Sequence, residues 1–203
     1  MLKLAAHIVS ILFHPLLMPT YLFGIIGYYT PAVFQSHQLI LFFIVSVFAI
    51  TAVLPALNLM FFKVTGTVKN LYMPTRGERV VPFVFISVVY ILVTALTYLK
   101  IPVPVVPKFL VISSALVVTL AISTFSMKIS AHAIGVAGLA GILLALAAYS
   151  SASALVIPAI ACIILSGVVM SSRLLLNAHT INEVTWGGIL GFAVGFAGVL
   201  ILF

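Results

Sequence analysis

Along most of this chain the hydrophobic positions do not alternate with polar ones. They run on without interruption. Apolar stretches close to helix-spanning length occur roughly at 4–29, 38–62, 80–99, 108–127, 132–150, 153–171 and 184–203. About 20 residues of α-helix cross about 30 Å of hydrocarbon. A membrane barrel would instead show ~10-residue segments of alternating character. Helices therefore remain as the way to satisfy backbone groups in lipid. The pattern predicts an all-α, polytopic transmembrane helical bundle of about six to seven spans. The count is open at the first stretch, where His14-Pro15 and Met18-Pro19 interrupt the apolar run. Proline breaks helices, so residues 2–13 either cross the membrane or lie in its interface. No small-residue cleavage site is evident after them, so the segment is expected to be a retained helix, not a signal peptide.

No linker, charge run or low-complexity stretch divides the chain, so residues 1–203 are expected to form a single membrane-embedded domain. Ser150-Ser151-Ala152-Ser153 reads as a tight turn. Lys100 to Lys108, with three prolines between them, reads as a short stiff hairpin whose lysines reach headgroups. Two longer connections, Lys63–Arg79 and Arg173–Glu183, are polar, and a shorter polar segment lies at Lys128–His132. Polar residues close to lipid are expensive and default to a functional reading. Two crossings separate the first of these segments from Lys128–His132, and two more separate that one from Arg173–Glu183. An even number of crossings returns the chain to the same face. The three segments are therefore expected to converge on one side of the membrane.

Composition agrees with the pattern and narrows the chemistry. Hydrophobic residues make up 65% of the chain and charged ones only 5%, against about 25% charged in soluble domains. Nine Lys and Arg face two acids, Glu78 and Glu183, and there is no Asp. That excludes aspartyl-phosphate mechanisms, Walker-type magnesium sites and carboxylate-rich two-metal sites. The single cysteine, Cys162, can neither form an internal disulfide nor build a thiolate site. The polar surface is too small for nucleic acid. A lipid headgroup or phosphate is the expected anionic partner of the excess positive charge.

Three segments carry the chemistry. They are Lys69-Asn-Leu-Tyr-Met-Pro-Thr-Arg76, then Ile129-Ser130-Ala131-His132, then Ser172-Arg173-Leu-Leu-Leu-Asn-Ala-His179-Thr-Ile-Asn-Glu183. In order and internal spacing they resemble the KxxxxxxRP, PSGH and SRxxxxxHxxxD motifs of the type 2 phosphatidic acid phosphatase superfamily, which groups lipid phosphatases with vanadium haloperoxidases. The resemblance covers roughly residues 60 to 203, and the third segment is the specific one. Gly77 stands in place of the first motif's proline. Ile129 and Ala131 replace the proline and glycine of the second, and Glu183 replaces the terminal aspartate.

The resemblance implies an integral membrane lipid phosphatase that works through a phosphohistidine, with no metal and no cofactor. His179 would be the nucleophile and His132 the general acid. Lys69, Arg76, Arg79, Lys128, Ser130 and Arg173 would bind the substrate phosphate. Physical chemistry supports such roles. A phosphoryl group in transfer needs its oxygens neutralised. Arg173 offers a bidentate fork and Lys69 a point charge. Arg79 either substitutes for Arg76 or pairs with Glu78. Lys128 either contacts phosphate or snorkels to headgroups. Ser130 is placed to cap a helix starting near Ala131, where free N–H groups favour an anion. Glu183 either fixes the tautomer of His179 or serves only the capping box Thr180-x-x-Glu183. His132, His179 and Glu183 are also possible zinc-ligand types, but the surrounding cations would repel a metal.

The remaining features read as structural. His7, His14 and His37 lie outside the motifs, as interfacial or core histidines. Gly135, Gly138 and Gly141, and then Gly187, Gly191 and Gly195, have the spacing of close helix packing, which would bring Ser130–His132 beside His179. Trp186 and Tyr28, Tyr29, Tyr72, Tyr98 and Tyr149 read as interfacial anchors. The expected substrate is a lipid phosphate or diphosphate: undecaprenyl diphosphate, phosphatidylglycerophosphate or phosphatidate. The alternatives are a phosphotransferase of the same superfamily and a non-catalytic lipid-phosphate carrier. Without the proposed catalytic cations, lysines divide two against two between the faces. The orientation is therefore taken from the resemblance, whose bacterial members typically place the site on the periplasmic side of the inner membrane.

Overall fold

The computed structural model describes residues 1–34, 36–70, 73, 75–149 and 153–203. Among these residues there are helices and turns and no β-strand. In chain order the helices are α1 (Leu2–Leu12), α2 (Met18–Tyr29), α3 (His37–Phe48), α4 (Leu54–Val64), α5 (Gly77–Lys100), α6 (Val105–Ser123), α7 (Ala131–Tyr149), α8 (Val156–Leu175) and α9 (Ile181–Leu202). They combine into seven segments long and apolar enough to cross a membrane. α1 with α2 makes the first segment, and α3 with α4 the second. The protein is an all-α integral membrane bundle.

The interruption in the first span is real. α1 ends at Leu12, and a short tight turn at Pro15–Leu17 leads into α2. In an unbroken helix the Ser10 carbonyl would accept the N–H of His14. Here the His14 N–H turns to Ile11 instead. The second span is also irregular. A wider turn at Ala49–Val53 joins α3 to α4. Pro55 has no N–H to return to the Thr51 carbonyl, and that oxygen accepts the Tyr90 hydroxyl at 3.0 Å.

The hairpin expected across 100–108 is shorter than its prolines suggested. α5 runs to Lys100, and α6 starts at Val105 with Pro107 in its first turn. Proline is tolerated there because that N–H has no helical partner anyway. Lys108 accordingly sits on a helix, its Nζ 4.7 Å above the Phe203 ring, and does not extend from a loop. The tight turn expected at 150–153 lies outside the described residues except for Ser153, and so does Tyr72.

α7 is the centre of the bundle. About 72% of its span is buried, against 22% for α5. A helix that is apolar on every face belongs inside. It packs most extensively on α9, then on α8. The glycines make the α7–α9 contact possible. A β-carbon added at Gly191 would strike the Ile134 carbonyl, and one at Gly195 the Gly138 carbonyl. The two backbones touch directly, as small-residue membrane interfaces allow.

This contact yields a stability contrast. Gly191→Ala forces the helices apart and should destabilise the bundle by about 1–3 kcal/mol, the range for overpacking. Gly167, on α8, has open space around its Cα. Gly167→Ala should be neutral or gain about 0.5–1 kcal/mol of helix propensity. Thermal unfolding in detergent measures both, and equal melting temperatures for the two variants would refute the backbone contact.

Candidate functional site

The third motif segment is a helix end, a turn and a helix start, and each part has a local cause. α8 finishes at Leu175, and Asn177 takes a left-handed conformation with φ 51°, which Asn tolerates better than most side chains. The Ala178 N–H then returns to the Arg173 carbonyl at 3.1 Å, and the Asn177 N–H to Leu174 at 2.9 Å. This closed turn aims the chain straight into α9. Thr180 caps α9, its Oγ1 accepting the Glu183 N–H at 3.4 Å. Arg173 and His179 are thereby fixed on either side of one turn.

The two roles weighed for Glu183 coexist. Its Oε2 accepts the His179 Nδ1–H at 2.6 Å and also the backbone N–H of Thr180 at 3.3 Å. Since a carboxylate only accepts, the neutral ring carries its proton on Nδ1. Nε2 is left as the basic nitrogen. Lys128 stands behind this pair: its Nζ donates to the Ala178 carbonyl at 3.1 Å and lies 3.9 Å from the Glu183 carboxylate. Lys128 does not line the cavity on which the other side chains converge. It braces the carboxylate.

The side chains converge on a cavity of about 230 Å³ whose walls include His14, Met73, Arg79, His132, Arg173 and His179. Arg79 is buried, with 6% of its surface exposed. Its Nε donates to the Met73 carbonyl at 2.9 Å and its Nη1 to the Ile129 carbonyl at 3.2 Å. No ion pair joins it to Glu78 among the described residues. Arg173 has a buried Nε with no hydrogen-bond partner among the described residues. His132 donates from Nε2 to the Ser10 carbonyl at 3.0 Å, the oxygen released by the break after α1. Because that carbonyl can only accept, the other His132 nitrogen, Nδ1, is the one available for proton exchange.

Like Lys128, three further expected phosphate ligands lie outside this cavity. Ser130 is fully buried, and its Oγ accepts the Ala133 N–H at 3.3 Å. It caps α7 and does not reach the cavity. Arg76 is exposed, its Nη1 donating to the Ser126 carbonyl at 3.0 Å. Lys69 is exposed and does not line the cavity. The exchange of arginines is tertiary in origin: Arg79, in the first turn of α5, is drawn inward by the Met73 and Ile129 carbonyls, while Arg76, just before the helix, bonds the Ser126 carbonyl at the surface.

Conversely, sequence reading undervalued His14. It lines the cavity with its ring centroid 5.3 Å from that of His132, edge to face. The available signal was a histidine beside a proline within an apolar span, where polar residues are costly. Among the described residues no three His, Cys, Asp or Glu side chains group to hold a metal. The cavity's own chemistry is two guanidinium groups and three imidazoles, with no carboxylate on its walls.

Fold and site together define an integral membrane protein with a cationic, histidine-lined cavity. No protein-family model matches this chain, and no curated protein or solved structure matches it significantly.

Burial holds the His179 imidazole below its ordinary value of 6.5, down to about 4. The Glu183 bond and charge oppose the shift, while Arg79 and Lys128 reinforce it. A lowered value means that the folded protein binds fewer protons here than the unfolded chain. The His179 contribution to stability is complete above pH 6.5 and is lost as pH falls toward 4. NMR titration of histidine-labelled protein, with the resonance assigned by His179→Gln, should find His179 neutral at pH 6. A midpoint at or above 6.5 would refute this environment.

Proposed function

We propose that this protein is a lipid phosphatase. It would hydrolyse a lipid phosphate or diphosphate, such as undecaprenyl diphosphate, phosphatidylglycerophosphate or phosphatidate, through a phosphohistidine and without a metal. The observation that carries the reading is the cavity's unbalanced charge. Arg79 and Arg173 line it, Arg173 with a buried Nε that has no hydrogen-bond partner among the described residues, and neither glutamate is on its walls. Buried charge demands a partner, and a phosphate group matches two guanidinium donors. The motif resemblance to type 2 phosphatidic acid phosphatases points to the same substrate class. Bacterial members of that superfamily typically face the periplasm from the inner membrane, and the proposal follows them.

The chemistry closes with the residues present. The His179 Nε2 lone pair attacks phosphorus, and the bond from phosphorus to the lipid oxygen breaks. His132, protonated on Nδ1, gives that proton to the departing oxygen, while its Nε2–H stays on the Ser10 carbonyl. Water then attacks the phosphohistidine and surrenders a proton to His132. The nitrogen–phosphorus bond breaks, its electron pair returns to His179, and phosphate leaves. Glu183 holds the imidazole in the required tautomer throughout and stabilises positive charge on it. Arg79 and Arg173 neutralise the equatorial oxygens.

Phosphate release over a panel of lipid phosphates, with EDTA present, tests the reading. Wild-type protein should release phosphate, and His179→Ala should release none from any substrate. Activity persisting in His179→Ala removes the phosphohistidine. Dependence on added zinc or magnesium removes the metal-free route. Transfer to an alcohol in place of water would make the protein a phosphotransferase, and lipid-phosphate binding without turnover would make it a carrier.

The two histidines should separate by leaving group. General-acid assistance is worth about 10²–10⁴-fold and matters most for a poor leaving group. His132→Ala should lose most of that factor on a monoester of an aliphatic alcohol. It should lose far less on a nitrophenyl ester, whose phenolate leaves unaided. Equal losses on both esters would leave His132 a plain phosphate ligand.

A further inference from the structure

His14 belongs to the first span and lies outside all three motif segments, yet it forms part of the cavity wall. Its Nδ1 accepts the Leu16 N–H at 3.4 Å, capping the turn Pro15–Leu17. In the neutral ring the proton is therefore on Nε2. The other two imidazoles are arranged the opposite way. His132 spends its N–H on the Ser10 carbonyl and His179 spends its own on Glu183. When neutral, each has only a lone pair left to offer. Of the three imidazoles in the cavity, His14 is the one whose N–H has no backbone or carboxylate acceptor among the described residues.

We propose that His14 is a phosphate-binding residue, its Nε2–H donating to a non-bridging oxygen of the headgroup held by Arg79 and Arg173. The assignment rests on the lipid-phosphate reading of the cavity. Its position suits a headgroup ligand. His14 also lines an apolar groove of about 410 Å³, between the first and second spans, whose walls include Ala52, Ala56, Leu57 and Met60. The imidazole thus stands at the junction of a cationic cavity and an apolar surface. A lipid phosphate has the same junction, where its charged head meets its tail. A neutral donor there adds affinity for the head without adding charge. Its loss should therefore weaken binding while sparing the chemical step.

Two substitutions separate binding from turn capping. In His14→Asn the side-chain oxygen can still accept the Leu16 N–H, but no donor reaches the cavity. In His14→Gln the amide NH₂ reaches about as far as Nε2, while the cap is lost. Binding of inorganic phosphate to the purified protein in detergent is measured by calorimetry, beside the melting temperature. His14→Asn should melt like the wild type and bind phosphate about ten- to hundredfold more weakly, as expected for one hydrogen bond to a charged group. His14→Gln should melt lower but stay within about threefold of wild-type affinity. With a lipid phosphate, His14→Asn should raise KM and leave kcat unchanged. Wild-type affinity in His14→Asn, or equal losses in both variants, overturns the assignment. A wild type that binds phosphate but releases none from lipids sinks the phosphatase reading and leaves the His14 comparison decisive. A wild type that binds no phosphate sinks both.

Discussion

The cavity depends on two helices touching backbone to backbone. Lipid tails are as apolar as leucine, so membrane helices gain little from hydrophobic burial and rely on close packing. Gly191 and Gly195 of α9 meet the Ile134 and Gly138 carbonyls of α7 with no side chain between them. Both helices begin at the same end of this contact. The Ser130 N–H donates to the Glu183 carbonyl at 3.2 Å, tying the two starts together. His132 is in the first turn of α7, and His179 lies just before α9. Their proximity follows from the glycine contact. The two N-termini also bring the positive ends of both helix dipoles to one place, which adds to the field of the arginines.

Charge in the site is organised around a single carboxylate. One oxygen of Glu183 serves His179 and the Thr180 N–H, with Lys128 close by. That acid is already occupied within the chain. Arg79 is held by two backbone carbonyls, which orient a guanidinium but carry no formal charge to balance it. One of these carbonyls comes from Met73, a buried residue in a left-handed conformation with φ 43°. A non-glycine residue rarely adopts that geometry, and here it points the oxygen at Arg79. The result is a buried guanidinium on the wall of a cavity that neither glutamate lines.

The polar network also depends on broken secondary structure. Pro15 follows the end of α1, and the interruption leaves the Ser10 carbonyl without its helical partner. His132, distant in sequence, supplies the missing donor. The same interruption places His14 against the cavity. The first span therefore belongs to the site, although the motif resemblance begins only near residue 60. The first motif shows the converse. Its spacing singles out Lys69 and Arg76, yet both are exposed, and Arg79 takes the inward position.

Uninterrupted apolar runs were sufficient to establish the helical membrane class and the approximate spans, because crossing hydrocarbon imposes a length and forbids unpaired backbone. The third motif was equally legible. Arg173, His179, Thr180 and Glu183 lie within eleven residues, and their relations follow from local rules for ending one helix and starting the next. The glycine spacing foretold which helices would touch. Tertiary structure alone decided which cations face inward. A flexible side chain at a helix edge can point to either side, and only packing determines whether Arg76 or Arg79 is enclosed. It also decided the roles of Lys128 and Ser130, whose hydrogen bonds are made to a carbonyl before α9 and to the first turn of α7. His14 needed both: its proline neighbour marked a break in the span, but its approach to His132 joins residues more than a hundred positions apart, and no local pattern encodes that distance.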